Sequence, residues 1–145
     1  FSLLSAVGAT NKPILLKRGF GATLEEWLLA AEYILAAGNP QIVLCNRGIR
    51  TFDPWIHYAL DLIAIPLLRE KTHLPILIDP SHATKNKQYI NPIARAAIAA
   101  DADGIMVEVH PQPESALSDG QQSLTFREFQ TLNEEISLIA AARRP

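Results

Sequence analysis

A single cysteine, Cys45, stands in the whole chain, so no internal disulfide can form and the composition fits a reducing compartment. Membrane-length apolar runs are missing too: no stretch approaches the ~20 residues that cross a bilayer. Neither sign of charge is in excess, since 13 Lys and Arg against 15 Asp and Glu leave a formal net charge of −2. That scatter offers no broad basic surface for nucleic acid or an anionic membrane, and any phosphate must be held by a few placed cations. A cytoplasmic protein that binds neither nucleic acid nor membrane is expected. The first residue is Phe1, and no charged segment leads into an apolar core and cleavage site, so no signal peptide is expected. The true beginning of the polypeptide is expected to lie elsewhere.

What is present is ordinary globular composition, 48% hydrophobic and 19% charged over 145 residues, enough for one domain spanning 1–145 with a real core. Short apolar runs alternate with helical periodicity. Phe1 to Val7 reads as the last turns of a helix closed by Gly8. Pro13 to Lys17 reads as a strand, and Leu24 to Ala37 as a helix whose Thr23 and Glu26 have capping-box spacing. The unit recurs with Gln41 to Cys45 as strand and roughly Pro54 to Glu70 as helix, kinked or shortened by Pro66. A third copy runs from Pro75 to Asp79, then from Asn91 or Pro92 to Ala100. A fourth has Gly104 to Val109 as strand and Thr125 to Ala142 as helix, with Thr125 and Glu128 as a second capping box.

Four βα units in tandem predict an α/β fold with a parallel sheet. The strands are continuously apolar, which predicts cover on both faces, as in a doubly wound sheet or a (β/α)8 barrel. A whole barrel needs about 200 residues or more, so this chain is expected to be half of one.

Polar residues gather after the strands: Lys17-Arg18-Gly19, Asn46-Arg47-Gly48, Asp79 to His82, and Glu108 to Pro111. In either fold that carboxyl edge is where chemistry is placed. Side chains leaving consecutive strand ends, about 4.8 Å apart, can bring His82 and Glu108 onto one ion, with Asp119 folding back from the next loop. One imidazole and two carboxylates suit manganese, iron, cobalt or zinc. Lys17 and Arg47 read either as anion-holding cations or as solvated loop residues. Arg50 either reaches a substrate phosphate or pairs with Asp53, and Arg18 reads as structural. Cys45 reads as a small buried side chain. His57 and His73 read as surface or helix-packing residues, and Trp55 as packing. Gly19 and Gly21 lack the third glycine and downstream carboxylate of a dinucleotide site.

Taken in order, Lys12 to Gly19, Glu25-Glu26-Trp27, Leu44 to Phe52, Leu74 to Ala83, Met106 to Pro111 and Ala116 to Gly120 cover most of the chain. These stretches resemble 3-deoxy-D-arabino-heptulosonate 7-phosphate (DAHP) synthases. The match is to the subgroup related to 3-deoxy-D-manno-octulosonate 8-phosphate (KDO8P) synthase. The resemblance implies the carboxyl-terminal half of a metal-dependent (β/α)8 barrel. It also implies an aldol-type condensation of phosphoenolpyruvate with erythrose 4-phosphate, the first step of the shikimate pathway. Position by position, it implies His82, Glu108 and Asp119 as metal ligands and Lys17 and Arg47 as cations on phosphoenolpyruvate. Asp79 would stand beside the metal and the aldehyde, making Lys17, Asp79 and His82 the catalytic set. His110 would support the ligands from behind.

The sequence departs from the family pattern at Asn46, where the subgroup usually has Glu, and at His57, commonly Arg. Lys85-Asn86 replaces a glycine-containing turn. The family's cysteine ligand, its Lys-Pro-Arg-type loop and a further arginine belong to the amino-terminal half and are not found here. The expectation is therefore a fragment of a longer enzyme. Two alternatives remain: a related synthase taking arabinose 5-phosphate, and a non-catalytic half-barrel that binds metal or partners. Unpaired sheet edges and an apolar inner face predict a homo-oligomer.

Overall fold

The computed structural model describes residues 1–143. Its main sheet has four parallel strands, β1 (Ile14–Lys17), β2 (Ile42–Asn46), β5 (Ile76–Ile78) and β6 (Gly104–Ile105), lying side by side in that order. Each strand neighbours the one that follows it in this set, and the order never reverses. That is the arc of a singly wound barrel, and it excludes the doubly wound sheet, which reverses at a switch point. A separate two-stranded ribbon pairs β3 (Ile49–Arg50) with β4 (Tyr58–Ala59) in antiparallel fashion.

The connecting helices cover one face of the sheet. Helix α2 (Leu24–Ala36) starts at the anticipated capping box, in which the Glu26 N–H donates to Thr23 Oγ1 at 3.1 Å and the Thr23 N–H to Glu26 Oε2 at 2.8 Å. It contributes Trp27, Ala31 and Ile34 to a core with Ile42, Leu44, Ile76 and Ile78 from the strands. Ile65 and Leu68 of α3 (Ala64–Lys71) and Ala97 of α5 (Lys87–Ala99) complete it. Each large aliphatic side chain fully buried there stabilises the fold by about 1.5–3 kcal/mol. The Trp27 indole N–H also donates to the Leu16 carbonyl at 3.2 Å, which locks α2 onto β1. The last helix, α6 (Phe126–Ala142), follows the second expected capping box and packs Leu132 against Ile90, Ala94 and Leu124.

Several expectations are corrected. Cover on both faces is not found: the alternate residues Leu15, Val43 and Leu77 line an open face, and Leu15 is 38% exposed. The helix expected from Pro54 begins only at Ala64, because residues 51–59 form the turn and second strand of the ribbon. Pro66 therefore falls in the first turn of α3, where its missing N–H costs nothing, and it makes no kink. Trp55 is not packed, being 95% exposed in that turn. Helix α5 starts one turn earlier than expected, at Lys87, capped by Asn86 with Pro92 inside it. Strand β6 ends at Ile105, and the chain re-enters pairing only at the Val109–Leu124 bridge. Gly8 does not close its helix in a left-handed turn; it lies inside α1 (Ser2–Gly8), where a Cβ would meet Ala37 Cβ at 2.6 Å. That glycine serves close helix packing.

Candidate active site

Lys17, Arg47, Asp79, His82 and Glu108 all lie at or after the carboxyl ends of the strands, because each strand ends where its apolar run gives way to polar residues. Lys17 is the last residue of β1, and Asp79 follows β5 directly. Asp79 is fully buried, and it also caps a five-residue helix, α4 (Pro80–Thr84). Its Oδ1 accepts the His82 N–H at 3.0 Å, while Pro80 at the first helical position loses no hydrogen bond. The Asp-Pro pair signals a helix start, so this short helix was legible in the sequence.

The cap leaves the second carboxylate oxygen free for two further contacts. Asp79 Oδ2 lies 2.7 Å from Lys17 Nζ and 2.8 Å from His82 Nδ1. With Nδ1 donating to the carboxylate, a neutral His82 turns its Nε2 lone pair outward. That nitrogen stands 3.3 Å from Glu108 Oε1. Glu108 is set in turn by the buried Ser81 hydroxyl, which accepts its backbone N–H at 3.0 Å. Lys17, Asp79, His82 and Glu108 thus form one connected line across the strand ends. Ser81 was not singled out in the sequence, and no local pattern marks it.

The donor geometry fits a metal ion at two positions. An imidazole nitrogen and a carboxylate oxygen, each about 2.1 Å from a shared ion, sit about 3.0–3.4 Å apart, which matches the His82–Glu108 separation. The carboxylate behind Nδ1 is the partner that a metal-bound imidazole ordinarily has. Asp119 is not brought to them. It is exposed in a left-handed conformation (φ 58°), its carbonyl accepting Gln122 N at 3.1 Å and Ser123 Oγ at 2.9 Å. Among the described residues no three His, Cys, Asp or Glu side chains form a ready metal cluster.

Arg47 follows β2 and lies on aromatic rings. Its guanidinium carbon is 4.2 Å from the Phe20 centroid and 4.9 Å from that of Tyr58, and the two rings stack at 4.8 Å. Gly48 (φ 83°) makes this approach possible, since a Cβ there would stand 3.0 Å from Tyr58 Cβ. Neither aromatic was anticipated, because they meet only through the ribbon. Arg50 is exposed and does not pair with Asp53, whose Oδ1 accepts the Trp55 N–H at 2.8 Å. Arg18 is buried, its Nε donating to the Ala22 carbonyl at 2.9 Å, and desolvation lowers its pKa against the opposing pull of Asp61. That agrees with a structural role.

Cys45 is fully buried, as anticipated, and its thiol is pushed up to about 12, first by burial and then by the Asp79 charge. The Asn46 amide is committed to backbone, donating to the Asp61 carbonyl at 3.2 Å and accepting the Gly48 N–H at 3.2 Å. His57 and His73 are exposed, and His110 Nδ1 accepts the Gln112 N–H at 3.1 Å.

Known proteins share this sequence and this fold. The family model described as DAHP synthetase I family matches residues 1–141. The chain is 55% identical to phospho-2-dehydro-3-deoxyheptonate aldolase of Thermotoga maritima over 142 residues, covering 98% of this chain and 42% of that protein. It is 31% identical to 2-dehydro-3-deoxyphosphooctonate aldolase of Desulfosudis oleivorans, covering 89% of this chain and 50% of that one. A crystal structure of the Thermotoga DAHP synthase superposes with a TM-score of 0.95 over 97% of this chain and 42% of its own. The chain therefore spans half or less of these curated relatives. No helix among the described residues is long and apolar enough to cross a membrane.

Proposed function

The chain belongs to the DAHP synthetase I family, and from that premise we propose that it is the carboxyl-terminal half of a (β/α)8 barrel that condenses phosphoenolpyruvate with erythrose 4-phosphate. The products are DAHP and inorganic phosphate. The observation that carries this reading is the unbroken line Lys17–Asp79–His82–Glu108 along the carboxyl edge of the sheet. In a longer chain, the open face around Leu15, Val43 and Leu77 would receive the rest of the barrel.

In this reading Lys17 and Arg47 bind phosphoenolpyruvate through its carboxylate and phosphate, and Arg50 reaches outward to a substrate phosphate. Asp79 keeps the Lys17 ammonium at the face where the enol carbon approaches, and it fixes the His82 ring with Nε2 outward. His82 and Glu108 would hold a divalent metal, with Asp119 as the third ligand in this proposal. Such a metal supplies Lewis-acid polarisation of the aldehyde oxygen. The new bond joins the enol methylene carbon to the aldehyde carbon, whose oxygen takes a proton. Water adds at the former enol carbon, and its bond to the phosphate oxygen breaks.

A synthase taking arabinose 5-phosphate is the second reading, supported by the 31% identity to the phosphooctonate enzyme and weakened by the 55% identity to the heptonate enzyme. The full-length protein, supplied with phosphoenolpyruvate and either aldose phosphate, is to be assayed for phosphate release with wild-type His82 and with His82→Ala. Release driven by erythrose 4-phosphate and lost in the variant supports the proposal. Release driven by arabinose 5-phosphate favours the second reading. Absence of release with both aldehydes, in a folded protein, overturns the activity and leaves a non-catalytic half-barrel.

A further inference from the structure

Two cations near the strand ends lie against one aromatic ring, and neither pairs with a carboxylate among the described residues. The Arg47 guanidinium carbon is 4.9 Å from the Tyr58 centroid and Lys85 Nζ is 5.3 Å from it. Every ion pair found among the described residues involves other cations. Arg47 Nε is moreover buried without a hydrogen-bond partner. Like charges gathered near one ring repel, and an anion held by both offsets that repulsion.

The backbone at Lys85 makes the same point independently. Lys85 caps the carboxyl end of α4 in the left-handed region (φ 52°, ψ 19°), its N–H donating to the Ser81 carbonyl at 3.0 Å. A residue with a Cβ costs roughly 1–2 kcal/mol there, and glycine would close the same turn without that cost. Strain of this kind persists where the side chain has a use. Here the side chain returns over the Tyr58 ring, which Arg47 also approaches, and Lys85 closes the short helix that carries His82.

We propose that Lys85 is a second cation of the anion site begun by Arg47, donating to a phosphate oxygen of the phosphorylated substrate that Arg47 holds. The inference rests on the assignment of Arg47 as a substrate cation. Tyr58 is the shared platform, its ring attracting both positive charges. Lys85 acts on substrate affinity and leaves the bond-making step to the Lys17–Asp79–His82 line.

Three variants of the full-length protein test this. Lys85→Gly removes the amine and relaxes the turn, Lys85→Arg keeps the charge, and Arg47→Ala reports on the site itself. Phosphoenolpyruvate binding is measured by calorimetry, and KM and kcat are measured for phosphoenolpyruvate and for the aldose phosphate. Lys85→Gly should weaken one phosphorylated substrate roughly ten- to fifteenfold, the low end for a hydrogen bond to a charged group, with kcat held and with recovery in Lys85→Arg. A change confined to phosphoenolpyruvate places the enol phosphate at this site, and a change confined to the aldose places the sugar phosphate there. Unchanged affinities in Lys85→Gly, while Arg47→Ala weakens one substrate, overturn the role of Lys85 and leave that of Arg47. Unchanged affinities in both overturn both.

Discussion

Lys17 and Asp79 form a 2.7 Å ion pair although their strands are not neighbours: β2 lies between β1 and β5. The register places Cys45 of β2 directly beside Lys17, on the same face and beneath the bridging ammonium. The small thiol leaves the long lysine room to cross over to the carboxylate. Cys45→Leu should fill that space, separate the pair and cost about 1–3 kcal/mol by overpacking, whereas Cys45→Ala should keep the pair. Urea unfolding of the two variants checks this, and equal midpoints would contradict it.

The Cys45 thiol should be silent toward alkylation while the protein is folded. Burial, with the Asp79 charge behind it, raises its pKa to about 12, whereas an unfolded cysteine titrates near 8.5. The folded state therefore keeps a proton that the unfolded state loses. The resulting stability is fully present below about pH 8.5 and is lost as pH rises toward 12. Iodoacetamide labelling at pH 8, with and without urea, should show modification only in urea.

Gly8→Ala should loosen the amino-terminal helix. The new methyl would stand 2.6 Å from Ala37 Cβ and 2.8 Å from the Ile34 carbonyl, one of them backbone and unable to yield. The separation of α1 from α2 should cost about 1–3 kcal/mol, read as a fall in melting temperature. A raised melting temperature would show that alanine's helix propensity outweighs the clash.

Asp103 should matter for stability and not for turnover. It lies at the amino-terminal ends of the strands, accepting the Ile76 N–H at 2.6 Å and pairing with Arg69 at 2.7 Å. The same end carries Asp101 (φ 79°), which pairs with Arg69 and with Arg143. Asp103→Ala leaves a backbone donor without its acceptor and should cost about 1–2 kcal/mol. The kcat of the full-length protein should stay at its wild-type value, and a large fall would place this end in the catalytic machinery.

The sequence by itself determined the parallel βα order, both capping boxes, and the placement of Lys17, Arg47, Asp79, His82 and Glu108 at or after the carboxyl ends of strands. All of these follow from apolar periodicity and from hydrogen bonds made within three or four residues, which the chain specifies locally. Boundaries failed where a long-range pairing overrode local pattern: the helix expected from Pro54 yields to a ribbon because Ile49 and Arg50 find Ala59 and Tyr58. Only the tertiary structure decided that Lys17 spans β2 to reach Asp79, that Phe20 and Tyr58 support Arg47, and that Asp119 stands apart from His82 and Glu108. Those relationships depend on strand register and loop closure between segments distant in the chain, and no local run of residues encodes them.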